Sequence, residues 1–556
     1  MEDIFLRIHA KPGEAGVDPQ RYAPCAMPFA VFTFRKEDRS MKKKFMGVIV
    51  VALVFLIFGL WDRSHAQKYG GTFTLGMYAD ILTPDLHRTI GNPTAQMGML
   101  VAESLIDWNE ECDFVPSLAE SWRLSPDASE YTFFLRKGVL FHNGRELTAE
   151  EVKKSYDHLI DEKTASPRRA EFNNIKRIEA VDKYTVRFYL KGPDAGFLAT
   201  LQPTNAFVTA PESFESKPPF PIGTGPFEFV EWKPRQYVKL KRFKNYWMKD
   251  KNGKQLPYVD EVILKPITDD TVRYTALRTG DVDWVWTLPF EQIPEIKRRS
   301  PAGIDASVRG GVRWIHIELN YSKGPTKDLR VRQAIAHAID KKAIMEGLTW
   351  GIAPPESQIF APGSQWYVQG IKDPYQEPDL AKARQLLKEA GYEKGFQLNT
   401  IVRNETFIMN IATLAQANLK KVGIDLQLEI LDRATHEARQ GKNQFEVNPS
   451  HLTFVPDPDG LYNIYFHSKS AMNFVRYDNP EYDKVVEEGR RTVDISRRKE
   501  VYRKALELLN KDIPHIFLGH YPIAQASRTY LIHMKSYARG DISWSDGGVS
   551  HAWIDK

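Results

Sequence analysis

The chain is poor in cysteine: Cys25 and Cys112 are its only two among 556 residues. Two thiols cannot build the bridged framework of a small secreted scaffold, so stability has to come from buried apolar cores. A strong charge of either sign is also missing, since 76 Lys and Arg face 71 Asp and Glu for a net of +5. Phosphate binding needs a concentrated basic face, and so slight an excess gives no reason to expect a nucleic-acid partner. Low-complexity linkers and short repeats are absent. So are the local signatures of common catalysts: no G-x-S-x-G elbow, H-E-x-x-H helix, C-x-x-C pair or G-x-x-x-x-G-K-S/T loop occurs.

What is present is the composition of a soluble globular protein, 42% hydrophobic and 26% charged. A chain of this length divides into about three or four compact units at the usual 100–200 residues per domain. The one long apolar run, residues 45–61, follows Met41 and three lysines and precedes Ser64-His65-Ala66. That order of basic, apolar and small residues describes a signal peptide over 41–66, with cleavage before Gln67. A retained membrane anchor is the alternative for so long a run. Residues 1–40 are then expected to be an upstream extension from a mis-assigned start. Their removal with the signal takes 10 basic and 7 acidic residues and leaves Cys112 as the sole thiol.

Along the remaining chain, helical and strand patterns alternate, predicting an α/β or α+β protein of several domains. Thr148 with Glu151 reads as a capping box opening one helix, Asp328 caps another, and Asn479-Pro480 starts a third. Helices are also expected over about 378–390 and 496–511. Strands are expected at 72–77, 131–135, 185–190, 259–264, 314–320 and 396–402. Gly223-Thr224-Gly225 holds two of three dinucleotide glycines, but Pro226 removes the N–H that a phosphate cradle needs, leaving a strand-entry turn. His515 and His520 lie five apart, yet no third ligand is near in sequence, and no metal site is expected. Asp457 and Asp459 alternate with prolines, which suits a fixed loop better than an acid/base pair.

Several runs resemble the signature of family 5 extracytoplasmic solute-binding proteins, the peptide-type receptors of bacterial ABC importers. They include Pro116-Ser117-Leu118-Ala119-Glu120-Ser121-Trp122, Phe141-His142-Asn143-Gly144, Ile222-Gly223-Thr224-Gly225-Pro226-Phe227, Asp328-Leu329-Arg330-Val331-Arg332-Gln333-Ala334 and Asn479-Pro480-Glu481-Tyr482-Asp483. The resemblance runs in the family's order over 69–540. It implies a two-lobed, periplasmic-binding-protein-like α/β fold of type II, in the large form, with the ligand cleft at the hinge. Lobe I would comprise 67–107, 206–305 and 525–556, with an inserted subdomain at 108–205, and lobe II would comprise 306–524. It implies a periplasmic, monomeric, non-enzymatic receptor with no cofactor. Its partners would be a small-molecule or peptide ligand and an inner-membrane permease with ATPase subunits.

For cleft contacts the expected residues are Tyr78 and Asp80 after the first strand, Trp284 and Trp286, Arg403 at a strand end, and Phe454 with Asp457. A guanidinium at Arg403 suits a carboxylate held bidentately. Peptide-binding members of the family place an Asp near position 454; here Phe454 stands there, and a ring cannot replace a charge-assisted bond to a buried ammonium. Oligosaccharides, opine-like conjugates and metal chelates therefore compete with peptides as ligand. A secreted hydrolase with a site assembled from scattered carboxylates is the alternative outside the receptor class.

Overall fold

The computed structural model describes residues 67–556, apart from 90, 111, 205, 218, 300–302, 453, 454 and 535–538. The expected signal at 41–66, the extension before it and Phe454 lie outside the described residues. Among those described, no helix is long and apolar enough to cross a membrane.

Strand β1 (Thr72–Met77) turns Phe73, Leu75 and Met77 into the core. A separate antiparallel sheet follows, made of β2 (Ala119–Leu124), β3 (Glu130–Leu135), β4 (Ile175–Asp182) and β5 (Thr185–Leu190) in the order β2-β3-β5-β4. Alternate residues Tyr131, Phe133 and Leu135 of β3 join Val186, Phe188 and Leu190 of β5 against helix α1 (Ala149–Ile160), giving this sheet a core of its own. Thr148 occupies the N-cap of α1, but its side chain makes no capping bond. Glu151 instead takes Arg145 at 2.6 Å, so the capping box read from the sequence does not form.

The chain then returns to the main sheet through β6 (Phe227–Lys233), β7 (Tyr237–Arg242) and β8 (Glu261–Pro266), followed by α2 (Asp270–Thr279) and β9 (Trp284–Val285). The later part contributes β10 (Ile304–Leu319), α3 (Leu329–Ala338), α4 (Leu380–Glu389), β11 (Phe396–Arg403), α5 (Thr406–Lys420), β12 (Ile424–Leu431) and β13 (Val447–Leu452). Helices α6 (Asp459–Phe466), α7 (Pro480–Arg491) and α8 (Ile495–Asp512) precede β14 (His515–Arg528). Asp328 caps α3 through the Arg330 N–H, and Asn479 caps α7 through the N–H groups of Glu481 and Tyr482 with Pro480 in the first turn, as the sequence signals predict.

Ten strands form one sheet in the order β12-β11-β13-β10-β14-β9-β1-β8-β7-β6. Its two ends contain parallel pairs, β11 with β12 and β1 with β8, and the long antiparallel ribbon β10–β14 joins them. The ribbon joins the two halves of the sheet. Its register slips between Arg309, opposite Ile523, and Arg313, opposite Tyr521, which is a bulge of extra residues on β10. Gly311 lies there with its backbone pressed against the partner strand: a Cβ would stand 1.9 Å from the Tyr521 carbonyl oxygen. The ladder thus loosens where the chain crosses from one half of the sheet to the other.

The 108–205 segment touches the later part of the chain directly. The Ala195 N–H donates to the Arg490 carbonyl at 2.8 Å, and Gln365 Nε2 donates to Asp113 at 2.8 Å. A Cβ on Gly196 would meet Asp457 Oδ1 at 2.7 Å.

Candidate functional site

Ligands of open α/β sheets bind beyond the carboxyl ends of parallel strands, where no side chain continues the ladder. Here two such ends flank the ribbon. β1 ends at Met77 and leads into Tyr78–Asp80, and β11 ends at Arg403.

Beside the β11 end, Arg403 Nη2 lies 2.8 Å from Glu405, and His451 Nε2, near the end of β13, lies 3.0 Å from the same carboxylate. Burial alone would raise the Glu405 carboxyl. The hydrogen bond from His451 and the charges of His451 and Arg403 outweigh it and bring the group down to about 2, so it is an anion at neutral pH. Burial pushes the His451 imidazole below its ordinary value, while its contact with Glu405 pulls the other way. Arg403 Nε is buried without a hydrogen-bond partner. Arg313 lies cross-strand from Tyr521 just past the bulge, and among the described residues its guanidinium has no ion-pair partner. Its charge opposes the burial that pushes the Tyr521 phenol up to about 12, to which Glu405 and Asp270 add.

An aromatic wall closes this corner. Phe290, which follows β9, stands 5.5 Å from the Tyr521 ring, and Phe407 at the start of α5 stands 4.6 Å from it. Phe290 and Phe407 meet edge-on at 6.5 Å, one from each side of the ribbon. A guanidinium with a buried unpartnered Nε at Arg403, a second guanidinium at Arg313, a neutral phenol and flat apolar walls suit a planar anion, above all a carboxylate.

The residues expected from the sequence separate into groups. Tyr78 and Trp286 come together, edge to face at 5.1 Å, at the β1 end. Trp284 sits in β9 with 1% of its surface exposed and is core. Asp80 accepts from the N–H of Ile81 at 2.8 Å, the N–H of Arg235 at 2.6 Å and Trp232 Nε1 at 3.1 Å, so its carboxylate braces the β6–β7 turn. Asp457 is buried and forms a two-pronged ion pair with Arg498, both contacts at 2.8 Å. Arg403 ends β11 and is paired with Glu405. Arg313, Glu405, His451 and Tyr521 escaped the sequence reading. The only local hint was Arg313 two residues past a Gly-Gly pair in a strand pattern. His515 and His520 do not share a site: His520 Nε2 pairs with the Ile359 carbonyl at 2.9 Å.

Residues 113–473 match the family described as bacterial extracellular solute-binding proteins, family 5 (middle). The chain belongs to this family. It is 28% identical over 440 residues to the glutathione-binding protein GsiB of Pectobacterium atrosepticum, covering 76% of this chain and 84% of that one. GsiB of Escherichia coli K12 is likewise 28% identical, over 430 residues. The periplasmic binding protein DppA of Helicobacter pylori, solved in complex with the peptide STSA, superposes with a TM-score of 0.73 at 26% identity. That match covers 88% of this chain and 99% of DppA. This solute-binding protein therefore has the two-lobed type II fold and is a substrate-binding component of a bacterial ABC importer.

Proposed function

We propose that this family 5 protein captures an anionic, peptide-like solute of medium size between its lobes and hands it to an inner-membrane permease with ATPase subunits. The observation that carries the reading is Arg403, whose Nε is buried without a hydrogen-bond partner, at the β11 end, with the partly exposed Arg313 just past the bulge. Arg403 takes a carboxylate, Tyr521 donates to it, and the rings of Phe290, Phe407 and Tyr78 with Trp286 cover the solute's apolar parts. That a relative is named for glutathione, a peptide-like compound bearing two carboxylates, supports the class. Lobe I is taken as 67–107, 206–305 and 525–556 with the insert 108–205, and lobe II as 306–524. The separate core of the β2–β5 sheet, and the pairing of Asp305 with Ser527 that sets both crossings side by side on the ribbon, support that division.

Closure follows from differential affinity: a ligand touching both lobes favours the closed form by the free energy of the contacts made only there. The hydrolase alternative draws no support from the carboxylates it would use. Asp457 is held by Arg498 and Asp459 by Arg490 at 2.9 Å. Export through a signal ending at Ala66 belongs to the same proposal, and N-terminal sequencing of exported protein beginning at Gln67 is the expected result.

The test is a tryptophan-fluorescence and thermal-shift titration with glutathione, di- to tetrapeptides, and neutral oligosaccharides. The peptide-like acids are expected to raise the melting temperature in proportion to RT ln(1 + [L]/Kd) and to be recovered intact. Binding of the neutral sugars alone, or recovery of cleaved ligand, would contradict the proposal.

A further inference from the structure

A second polar cluster lies inside the later half of the molecule, on one face of the β13-β10-β14 strands. His316 and Glu318 alternate on β10 and so share a face. His515 on β14 stands opposite Glu318 in the ladder. All three are almost fully buried, at 0%, 2% and 5% exposure. One donor atom from each lies within 4.8 Å of the others, and His316 Nε2 is 3.5 Å from Glu318 Oε1. The two imidazole rings are 4.6 Å apart.

Two features set this cluster apart from a satisfied polar core. Both nitrogens of His316 and Nδ1 of His515 are buried without a hydrogen-bond partner. An unsatisfied buried donor or acceptor costs about 1–3 kcal/mol, so three in one place call for a partner. Glu318 is oriented by Gln440 Nε2 at 3.1 and 3.0 Å and by Asn448 Nδ2 at 2.9 Å. Among the described residues no Lys or Arg pairs with it, so neutral amides alone fix a buried carboxylate. Asn448 is itself tied to His436 at 2.9 Å. A carboxylate aimed by amides with imidazoles beside it has the layout of a metal-ligand set with its outer hydrogen-bonding shell in place.

We propose that His316, Glu318 and His515 bind one divalent transition-metal ion, with zinc the best match to two imidazoles and one carboxylate. The ion would compensate the buried charge and take one nitrogen of each imidazole. Zinc holds such ligands at about 2.1 Å, so its donors stand roughly 3.4 Å apart, and the side chains draw inward by about 1 Å on binding. The walls are apolar: Trp314 stacks on His316 at 4.2 Å and Phe466 meets His515 edge-on at 4.7 Å. Because β10 and β14 are the strands that cross between lobes, the ion would pin the ribbon at its base in the later half. It would be structural cargo of the fold, distinct from the solute.

The experiment uses the tag-free chain from Gln67, refolded with one equivalent of Zn²⁺ or Co²⁺, desalted, and assayed for metal by mass spectrometry. About one equivalent per chain is expected, with visible d–d absorption for cobalt and a metal-dependent rise in melting temperature. His316→Asn and Glu318→Gln are expected to lower retained metal at least about tenfold with the far-ultraviolet dichroism unchanged. If either variant fails to fold, the wild-type metal content and melting shift decide alone. Less than about a tenth of an equivalent on the wild type, or equal retention by wild type and a folded Glu318→Gln variant, overturns the proposal.

Discussion

Two charged regions of this molecule use the same chemistry to opposite ends. In the first, where α6–α8 meet the 108–205 segment, two buried carboxylates are each held by an ion pair: Asp457 with Arg498 and Asp459 with Arg490. In the second, at the β11 end, one carboxylate, Glu405, is shared by Arg403 and His451, while Arg403 Nε has no hydrogen-bond partner and Arg313 has no ion pair among the described residues. A closed set of pairs holds a structure together; a set with donors left over is ready for something else. The contrast separates bracing residues from binding residues, a distinction that residue type alone does not make.

The saturated region breaks hardest. Arg498→Met leaves Asp457 buried and uncompensated, and urea denaturation is expected to show a loss of about 3–5 kcal/mol. Adding Asp457→Leu to the same chain should recover most of it, because no lone charge then remains. The unsaturated region behaves the other way. Arg403→Gln is expected to weaken solute binding by roughly 100-fold in calorimetry, about 3 kcal/mol, with little change in the melting point of the ligand-free protein. An equal loss of stability and affinity in this variant would erase the contrast.

Smaller changes probe the contact between the two parts of the chain. Gly196→Ala pushes a methyl group toward Asp457 Oδ1, which cannot yield cheaply because Arg498 holds it. The expected cost to the closed form is about 1–3 kcal/mol, read as a larger radius of gyration by X-ray scattering and weaker solute binding. Asp194 gives the mildest effect. Burial raises its carboxyl to about 6, with Asp459 adding to the shift and Arg490 opposing it. The folded state then holds this proton more tightly than the unfolded chain, so its contribution is full below about pH 4 and is lost as pH rises toward 6. Asp194→Asn should be more stable than wild type by about 1–2 kcal/mol at pH 7 and no more stable at pH 4.

The elements were legible wherever local pattern decides them. The strands at 72–77 and 185–190 match the expected bounds, and Asp328 and Asn479 cap as their types predict. β10 was expected from Trp314 onward but begins at Ile304, because β14 carries the ladder past a Gly-Gly pair that reads as a break. The site was only half legible. A guanidinium at a strand end was visible in Arg403, but its neighbours Arg313, His451 and Tyr521 are brought in by sheet order. A carboxylate among prolines was visible at Asp457, but Arg498, forty-one residues later, decides what it does. In the same way His515 was weighed against His520 in sequence, while the fold sets it beside His316 on the neighbouring strand.

The central claim is that the buried unpartnered Nε of Arg403, with Arg313 nearby, is there for a carboxylate. Mass spectrometry of the small molecules released when freshly purified protein is denatured tests it most directly. The account predicts a peptide-like compound carrying at least one free carboxylate, lost from Arg403→Gln and retained by Arg498→Met/Asp457→Leu. A neutral sugar, or a ligand retained equally by Arg403→Gln, would contradict it.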